Sequence, residues 1–244
     1  MEKYKNFING KWLDNESKET IKVEDPATAK IIGEIACAKK TEVDLAVNAA
    51  KESYKSRILV DMPLLERAKL MHKIADETRK IADEGGKILC YENGKSLPAA
   101  IKEFNDVADM FDYYAGLTDK LEGKTIPVSH NVFDYTLLEP FGVSAHIVPW
   151  NYPLWMAIWK IGPSLVTGNS LLLKPAEQSP LSAIRIGELL MGLNMIPIIG
   201  SSIAGSIYAY FASIIGIAAA INTQEEWNKK HISIPGSNWF YKSR

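Results

Sequence analysis

The sequence predicts an α/β domain whose parallel sheet starts near residue 142. The main observation is a compact β-α-β pattern, in which strands at Gly142–Val148 and Ser170–Leu173 flank an apolar helix at Leu154–Val166. Helical segments precede this unit, and a short hairpin precedes those helices. An order of hairpin, helices, strand and then β-α-β is typical of an α/β domain in which helices cover a mostly parallel sheet.

Turn and cap signals predict the N-terminal elements. Phe7–Trp12 places an Asn-Gly pair between apolar residues, which is the strongest short signal for a hairpin. A strand is expected at Ile31–Ile35, after the turn at Asp25–Thr28. Thr41 is expected to cap a helix, since a side-chain oxygen at this position satisfies a backbone N–H of the first turn. That helix would place four apolar residues on one face: Val43, Ala46, Val47 and Ala50.

Helical spacing of apolar residues predicts three more helices before residue 120, over Leu64–Glu84, around Ile88–Asn93 and over Ile101–Leu117. Gly94 should end the second of these, because glycine readily adopts the left-handed conformation that closes a helix. Strand character returns at Val132–Leu138, and another helix is expected over Pro180–Leu190, after the β-α-β unit.

Composition narrows the class of protein. The chain has 244 residues, 47% of them hydrophobic, so it can bury a substantial core. Its net charge of −1 gives no support to a nucleic-acid partner. Two cysteines, Cys37 and Cys90, are too few for a disulfide framework, and the histidines show no ligand spacing, so no metal site is predicted. The charged start of the chain lacks an apolar segment, which predicts a cytoplasmic location.

Two short motifs suggest a ligand site. Pro149–Leu154 holds Asn151 between two prolines, on a loop that leads into an apolar helix. Lys174 and Glu177 follow the apolar strand Ser170–Leu173, and packing alone needs neither charge. In α/β sheets, ligands bind beyond the carboxyl ends of strands. A cation and a carboxylate at this position would suit a sugar hydroxyl or a phosphate.

The two motifs together resemble the NAD(P)-dependent aldehyde dehydrogenase superfamily, in which P-W-N-[FY]-P and K-P-[AS]-E occur at this separation. The similarity extends from about Phe7 to about Leu190 and includes Glu92-Asn93-Gly94-Lys95. It implies an incomplete Rossmann-type cofactor-binding domain over residues 1–190, with an N-terminal hairpin and helices. Residues 191–244 would be a divergent apolar tail, which is either a mis-spliced or frame-shifted end or a degenerate continuation of the same domain.

The resemblance implies a role for each matched residue. Asn151 would donate a hydrogen bond to the oxyanion that forms when a cysteine attacks an aldehyde. Lys174 and Glu177 would bind the adenosine ribose of NAD (or NADP), while Val148 and Trp150 would line the cofactor. Each residue also has a plainer interpretation. Asn151 could cap a turn, the charged pair could be a solvated ion pair, and Val148 and Trp150 could simply pack in the core.

Catalysis in this family also needs a nucleophilic cysteine and a general-base glutamate. The 244 residues contain no match to either motif, and Cys37 and Cys90 both suit the packing of a small apolar side chain. We therefore expect a family member whose ancestral activity is the NAD(P)-dependent oxidation of an aldehyde to a carboxylic acid. On its own, this chain should be inactive and should bind NAD weakly.

Two alternatives stay open at this stage. One is a non-catalytic remnant or interaction module that pairs with a full-length relative, or with itself, through strand 132–138. The other is a membrane-anchored fragment, because residues 196–221 are uncharged and long enough to span a bilayer. Pro197 and several serines and glycines in that stretch disfavour the membrane interpretation.

Overall fold

The computed structural model of the chain describes residues 2–193 and a short strand at residues 202–203. The predicted tail over residues 191–244 and the proposed membrane segment over 196–221 therefore lie almost entirely outside the described residues. None of the described helices is long and apolar enough to cross a membrane. The chain divides into two compact units, and the described part of the second is residues 122–139.

The described elements run as five strands, four helices, three strands and then an alternation of helix and strand. The strands are β1 (Glu2–Tyr4), β2 (Asn6–Ile8), β3 (Lys11–Leu13), β4 (Thr20–Asp25), β5 (Lys30–Ala36), β6 (Thr125–Ser129), β7 (Val132–Tyr135), β8 (Val143–Ile147), β9 (Ser170–Lys174) and β10 (Ser202–Ile203). The helices are α1 (Lys40–Lys55), α2 (Leu64–Lys80), α3 (Ala82–Asn93), α4 (Leu97–Ala115), α5 (Pro153–Val166) and α6 (Leu181–Gly192).

The main sheet has five described strands in the order β3-β2-β10-β9-β8. Strands β8 and β9 are parallel, with Val143 opposite Ser170 and Ile147 opposite Lys174, and α5 connects them. This confirms the predicted β-α-β unit. Strand β10 is parallel to β9 and antiparallel to β2. The N-terminal hairpin therefore extends the parallel part of the sheet.

The hairpin formed by β2 and β3 is confirmed, and its turn explains why it forms. Asn9 and Gly10 have φ values of 51° and 73°. Positive φ at both central residues is what a type I′ turn requires, and Asn-Gly tolerates it best. Phe7 on β2 is fully buried, and its ring lies 4.7 Å from that of Trp12 on β3.

A second sheet of three strands has the order β1-β5-β4. Strand β5 contains the predicted Ile31–Ile35, whereas β1 and β4 were not predicted. The predicted strand Val132–Leu138 is shorter than expected, because β7 ends at Tyr135. It pairs antiparallel with β6 in the second unit, and β6 was not predicted either.

Two of the predicted helix boundaries are wrong. The predicted cap at Thr41 lies inside α1, which starts at Lys40. Glu42 caps this helix instead, because its carboxylate accepts the Lys39 N–H at 2.7 Å, and the Thr41 hydroxyl donates to Glu16. The predicted helix Leu64–Glu84 is broken at Ile81 (φ −96°, ψ 6°) into α2 and α3.

Other expected boundaries agree with the structure. Gly94 ends α3 with a φ of 78°, and its N–H donates to the Cys90 carbonyl, as predicted. Helix α4 begins four residues before the predicted Ile101, and α6 spans nearly the predicted Pro180–Leu190. Buried aromatic residues of α4, including Phe104 and Phe111, pack at the centre of the core.

We expect Gly85→Ala to destabilise the fold. A Cβ atom at this position in α3 would lie 2.2 Å from Cζ of the buried Phe104 ring, so the ring or the helix must move. Forcing an extra carbon into a packed core typically costs about 1–3 kcal/mol. Urea denaturation followed by circular dichroism measures the change.

Gly192→Ala is the matched control, because a Cβ atom there meets nothing within 4 Å. It removes the backbone freedom of a helical glycine, so its free energy of unfolding should stay equal or rise by up to about 1 kcal/mol. Equal denaturation midpoints for Gly85→Ala and the unmodified chain would contradict the packing described here.

Candidate functional site

The candidate site is built from two loops that follow neighbouring parallel strands. Residues 148–152 follow β8, and residues 175–180 follow β9. The two strands end side by side, and the Val148 N–H donates to the Lys174 carbonyl at 3.2 Å, which continues the ladder by one bond. The structure therefore brings the two sequence motifs together at the carboxyl edge of the sheet, where α/β proteins bind ligands.

Lys174 and Glu177 form an ion pair in the second loop. Lys174 Nζ lies 2.5 Å from Glu177 Oε1, and the two side chains are only 11% and 22% exposed. The pair is thus more buried than the solvated pair of the plainer interpretation. An ammonium group carries three N–H donors and a carboxylate about four acceptor positions, so each can bond to more than one partner. Both groups could therefore still hydrogen-bond a ligand at this edge.

The first loop contains both buried and exposed residues. Val148 is 3% exposed and belongs to the core, which agrees with the packing interpretation, whereas Trp150 is 56% exposed. Asn151 is exposed too. Within residues 2–193 its side chain makes no hydrogen bond, although a turn-capping asparagine would bond to a nearby backbone group. Its amide is therefore available to a ligand.

A buried glutamate that sequence reasoning missed fixes the start of α5. Glu103, on α4, is 2% exposed, and its Oε1 accepts the N–H groups of Leu154 and Trp155 at 3.1 and 3.3 Å. Helix α5 has no side-chain cap of its own. A carboxylate satisfies the unpaired N–H groups of a helix start and is favoured by the helix dipole.

Lys95 balances this buried charge. Its ammonium group contacts the other oxygen of Glu103 and also lies 4.4 Å above the ring of Tyr152. The cation is 13% exposed, so it contacts both groups away from bulk water. Lys95 thereby ties the residue after Asn151 to the carboxylate that caps α5.

A second buried glutamate fixes the start of α6. The two carboxylate oxygens of Glu92 accept the N–H groups of Leu181 and Ser182 at 2.5 and 3.0 Å. Burial raises the pKa of Glu92 to about 7, although these hydrogen bonds oppose the shift. The sequence marked residues 92–95 as part of a family resemblance. It gave no role to Glu92 or Asn93, because their partners lie 57 to 90 residues away along the chain.

The next residue, Asn93, bonds to the first loop. Its Nδ2 donates to the Trp150 carbonyl at 2.7 Å, and the buried Ser179 hydroxyl donates to the same oxygen at 3.1 Å. Residues of α3, of the first loop and of the second loop therefore meet at one carbonyl group.

The remaining candidates of the sequence lie elsewhere. Cys37 is buried just after β5, and Cys90 is half-buried in α3. His146 on β8 bonds to the hydroxyls of Ser144 and Ser164, and burial, together with the charge of Lys160, lowers its pKa to about 4. In the part of the chain that the structure describes, no group of three or more His, Cys, Asp or Glu side chains could hold a metal ion.

Comparison with known proteins gives one consistent result. The profile of the aldehyde dehydrogenase family matches residues 12–197. The chain is 39% identical over 222 residues to the mitochondrial aldehyde dehydrogenase of Leishmania tarentolae, with 87% of this chain and 44% of that protein covered. It is 37% identical over 220 residues to human retinal dehydrogenase 2, with 86% and 42% covered.

Solved structures agree with the sequence comparison. The NAD⁺ complex of an aldehyde dehydrogenase from Bacillus cereus superimposes with a TM-score of 0.80 at 34% identity, covering 84% of this chain and 42% of that one. A point mutant of an aldehyde dehydrogenase from the same organism gives 0.81 at 33% identity, with 89% and 43% covered. The chain thus spans about two fifths of the length of these relatives.

The raised pKa of Glu92 predicts a pH-dependent stability. Between its ordinary pKa of 4.5 and its folded value of about 7, the folded chain keeps a proton that the unfolded chain has lost. The stability that protonated Glu92 contributes is therefore complete below pH 4.5 and declines as the pH rises to 7. This shift in pKa corresponds to a decline of about 3 kcal/mol in the free energy of unfolding.

Glu92→Gln cannot ionise, so its free energy of unfolding should lack this decline between pH 4.5 and 7. Urea denaturation at several pH values measures the difference. Exposed Glu122→Gln makes the same change of charge and should keep the pH profile of the unmodified chain. Parallel profiles for Glu92→Gln and the unmodified chain would show that Glu92 is not the group responsible.

Proposed function

The chain belongs to the aldehyde dehydrogenase family, and we propose that its described part forms the adenosine-binding half of a NAD(P) site together with the oxyanion donor. The observation that supports this most is the pairing of Lys174 with Glu177 at the carboxyl end of β9, beside the loop that carries Asn151. We also propose that the substrate of a whole family enzyme containing this part would be an aldehyde.

The residues of the second loop fit the ribose of the cofactor. Lys174 would donate to ribose hydroxyls, and Glu177 would accept from them. A carboxylate at this position favours NAD over its 2′-phosphorylated form, because a phosphate would meet like charge. A solved Bacillus cereus relative contains NAD⁺. When bound, the cofactor supplies a nicotinamide ring that accepts hydride. Val148 and Trp150 would lie on its ribose or nicotinamide side, and we expect weak binding by this chain.

The first loop would supply the oxyanion donor. The Asn151 amide is exposed and makes no hydrogen bond within residues 2–193. A neutral donor that is held in place stabilises a developing negative charge, and removing one such donor typically costs about 2.7–4 kcal/mol of barrier. This donor acts only after a thiolate has attacked the carbonyl. The 244 residues show no match to the family's cysteine or glutamate motif.

A second proposal concerns association with another family chain. The β6–β7 hairpin of the second unit exposes large apolar side chains, with Phe133 at 72% and Val128 at 59%. Leu137 and Leu138, just after β7, are 61% and 66% exposed. Exposed apolar strand residues favour pairing with another strand. The segment 132–138 would therefore pair with a full-length relative or a second copy.

The cytoplasmic location stays a proposal, and the similar proteins include mitochondrial ones.

Lys174→Ala should weaken NAD binding by about tenfold, since a hydrogen bond to a charged group is worth about 1.5–3 kcal/mol. Isothermal titration calorimetry with NAD measures the dissociation constant. Lys80→Ala is the control, because Lys80 also pairs with a glutamate three residues away but lies on the exposed surface of α2. Equal affinities of Lys174→Ala and the unmodified chain would refute the assignment of the ribose site.

The 244-residue chain should not oxidise aldehydes on its own. The purified protein, incubated with NAD and several aldehydes, should give no increase in NADH absorbance. The 244 residues show no match to the family's nucleophilic cysteine motif, so neither Cys37 nor Cys90 should replace the missing nucleophile. Turnover that disappears in Asn151→Ala would contradict this prediction, because it would show that these residues complete a catalytic site.

A further inference from the structure

Residues of the last turn of α3 hold both ligand loops at once. Glu92 accepts the N–H groups of Leu181 and Ser182, which directly follow the second loop. Asn93 donates to the Trp150 carbonyl in the first loop. Two consecutive residues of one helix are therefore bonded to the segments that follow two different strands.

The helix end that carries these residues is itself fixed. Gly94 adopts a left-handed conformation, with a φ of 78°, and its N–H bonds back to the Cys90 carbonyl. A Cβ atom on Gly94 would lie 2.8 Å from Cγ of Pro26, so the chain passes close to the turn between β4 and β5 at this point. Asn93 is thus attached to a rigid support rather than to a mobile loop.

The Trp150 carbonyl joins the two loops directly. It accepts from Asn93 at 2.7 Å and from Ser179, in the second loop, at 3.1 Å. A trans peptide group is planar, with its C=O and N–H pointing in opposite directions. Fixing the Trp150 carbonyl therefore also fixes the direction of the Asn151 N–H and the position at which the Asn151 side chain begins.

We propose that Asn93 is a positioning residue that holds the first and second loops at one fixed separation. It acts through the Trp150 carbonyl and Ser179. This inference rests on the proposed function where it concerns the ligand. Asn93 would touch neither the ribose nor the oxyanion. Its effect on binding would arise because both loops are already ordered before a ligand arrives, which lowers the entropic cost of binding.

The coupling of the two loops by Asn93, the Trp150 carbonyl and Ser179 is called the clamp below. Amide hydrogen exchange of the ligand-free chain tests the clamp without any cofactor. Asn93→Ala should raise the exchange rates of residues 148–156 and 175–182 by about fivefold, as expected for the loss of a local hydrogen bond, with β4 and β5 unchanged. Ser179→Ala should raise exchange in residues 148–156 as well. Asn105→Ala is the control, because the Asn105 amide also donates to a backbone carbonyl, but within α4, to Ile101 at 3.1 Å.

Titration with NAD then tests the consequence for binding. Asn93→Ala should weaken NAD binding by about threefold or more, and Asn105→Ala should leave it unchanged. The Asn93→Ala/Ser179→Ala double variant should lose less than the sum of the single losses, since both bonds end on one carbonyl. Asn93→Asp keeps the shape of the side chain but turns a carboxylate oxygen towards the Trp150 carbonyl, so it should weaken binding at least as much as Asn93→Ala.

The outcomes separate the clamp from the proposed function. Unchanged exchange in both loops of Asn93→Ala would overturn the clamp, whether or not NAD binds. Faster exchange with unaltered NAD affinity would overturn the positioning role. If the unmodified chain binds no NAD, the proposed cofactor site fails, and the exchange rates alone decide whether Asn93 couples the loops.

Discussion

The helices that follow the two ligand loops begin on carboxylates supplied by a different part of the chain. Neither α5 nor α6 has a side-chain cap of its own. Glu103 and Glu92 provide the missing acceptors from α4 and α3. A helix start that is buried without partners leaves several N–H groups unsatisfied, at about 1–3 kcal/mol each. The loops can therefore take their observed shape only when the N-terminal helices are packed against the β-α-β unit.

The two carboxylates meet the cost of burial in different ways. Glu103 is paired with Lys95, and this pair also contacts Tyr152, so the buried charge has an opposite charge beside it. Glu92 has no cation within salt-bridge distance among the described residues and relies on two backbone N–H groups. Those bonds do not offset the loss of water, and its pKa rises to about 7. The start of α6 is therefore held by a group whose charge changes near neutral pH.

The sequence predicted those parts of the fold that depend on local signals. The Asn-Gly turn, Gly94 and the apolar strands around α5 each act over a few residues, and all three are confirmed. The cap at Thr41 failed although its signal was local, because Glu42 took the capping role. Strands β1 and β4 form by pairing with β5, and no short-range pattern marks their partner.

In the candidate site, too, local motifs were predictable from the sequence and long-range contacts were not. Motifs alone suggested Asn151, Lys174 and Glu177 as site residues, and the register of β8 with β9 explains why the two motifs lie at one edge. The support of these residues could not be predicted, since it depends on side chains 51 to 90 residues distant in sequence. Glu103 carried no motif signal, because a glutamate in a helix is usually a solvated residue.

The residues that hold the two loops in place differ from the groups that would carry out the chemistry. The hydrogen bonds and ion pairs that hold the two loops come from residues 92–182, all within the described chain. The loops can therefore be ordered by this part of the family's fold, which covers about two fifths of the relatives' length. Cysteine attack and hydrolysis need groups to which these 244 residues show no match. In the proposed function, the ribose site and the oxyanion donor therefore have their supporting contacts within residues 92–182, whereas the nucleophile and the general base would have to be other groups.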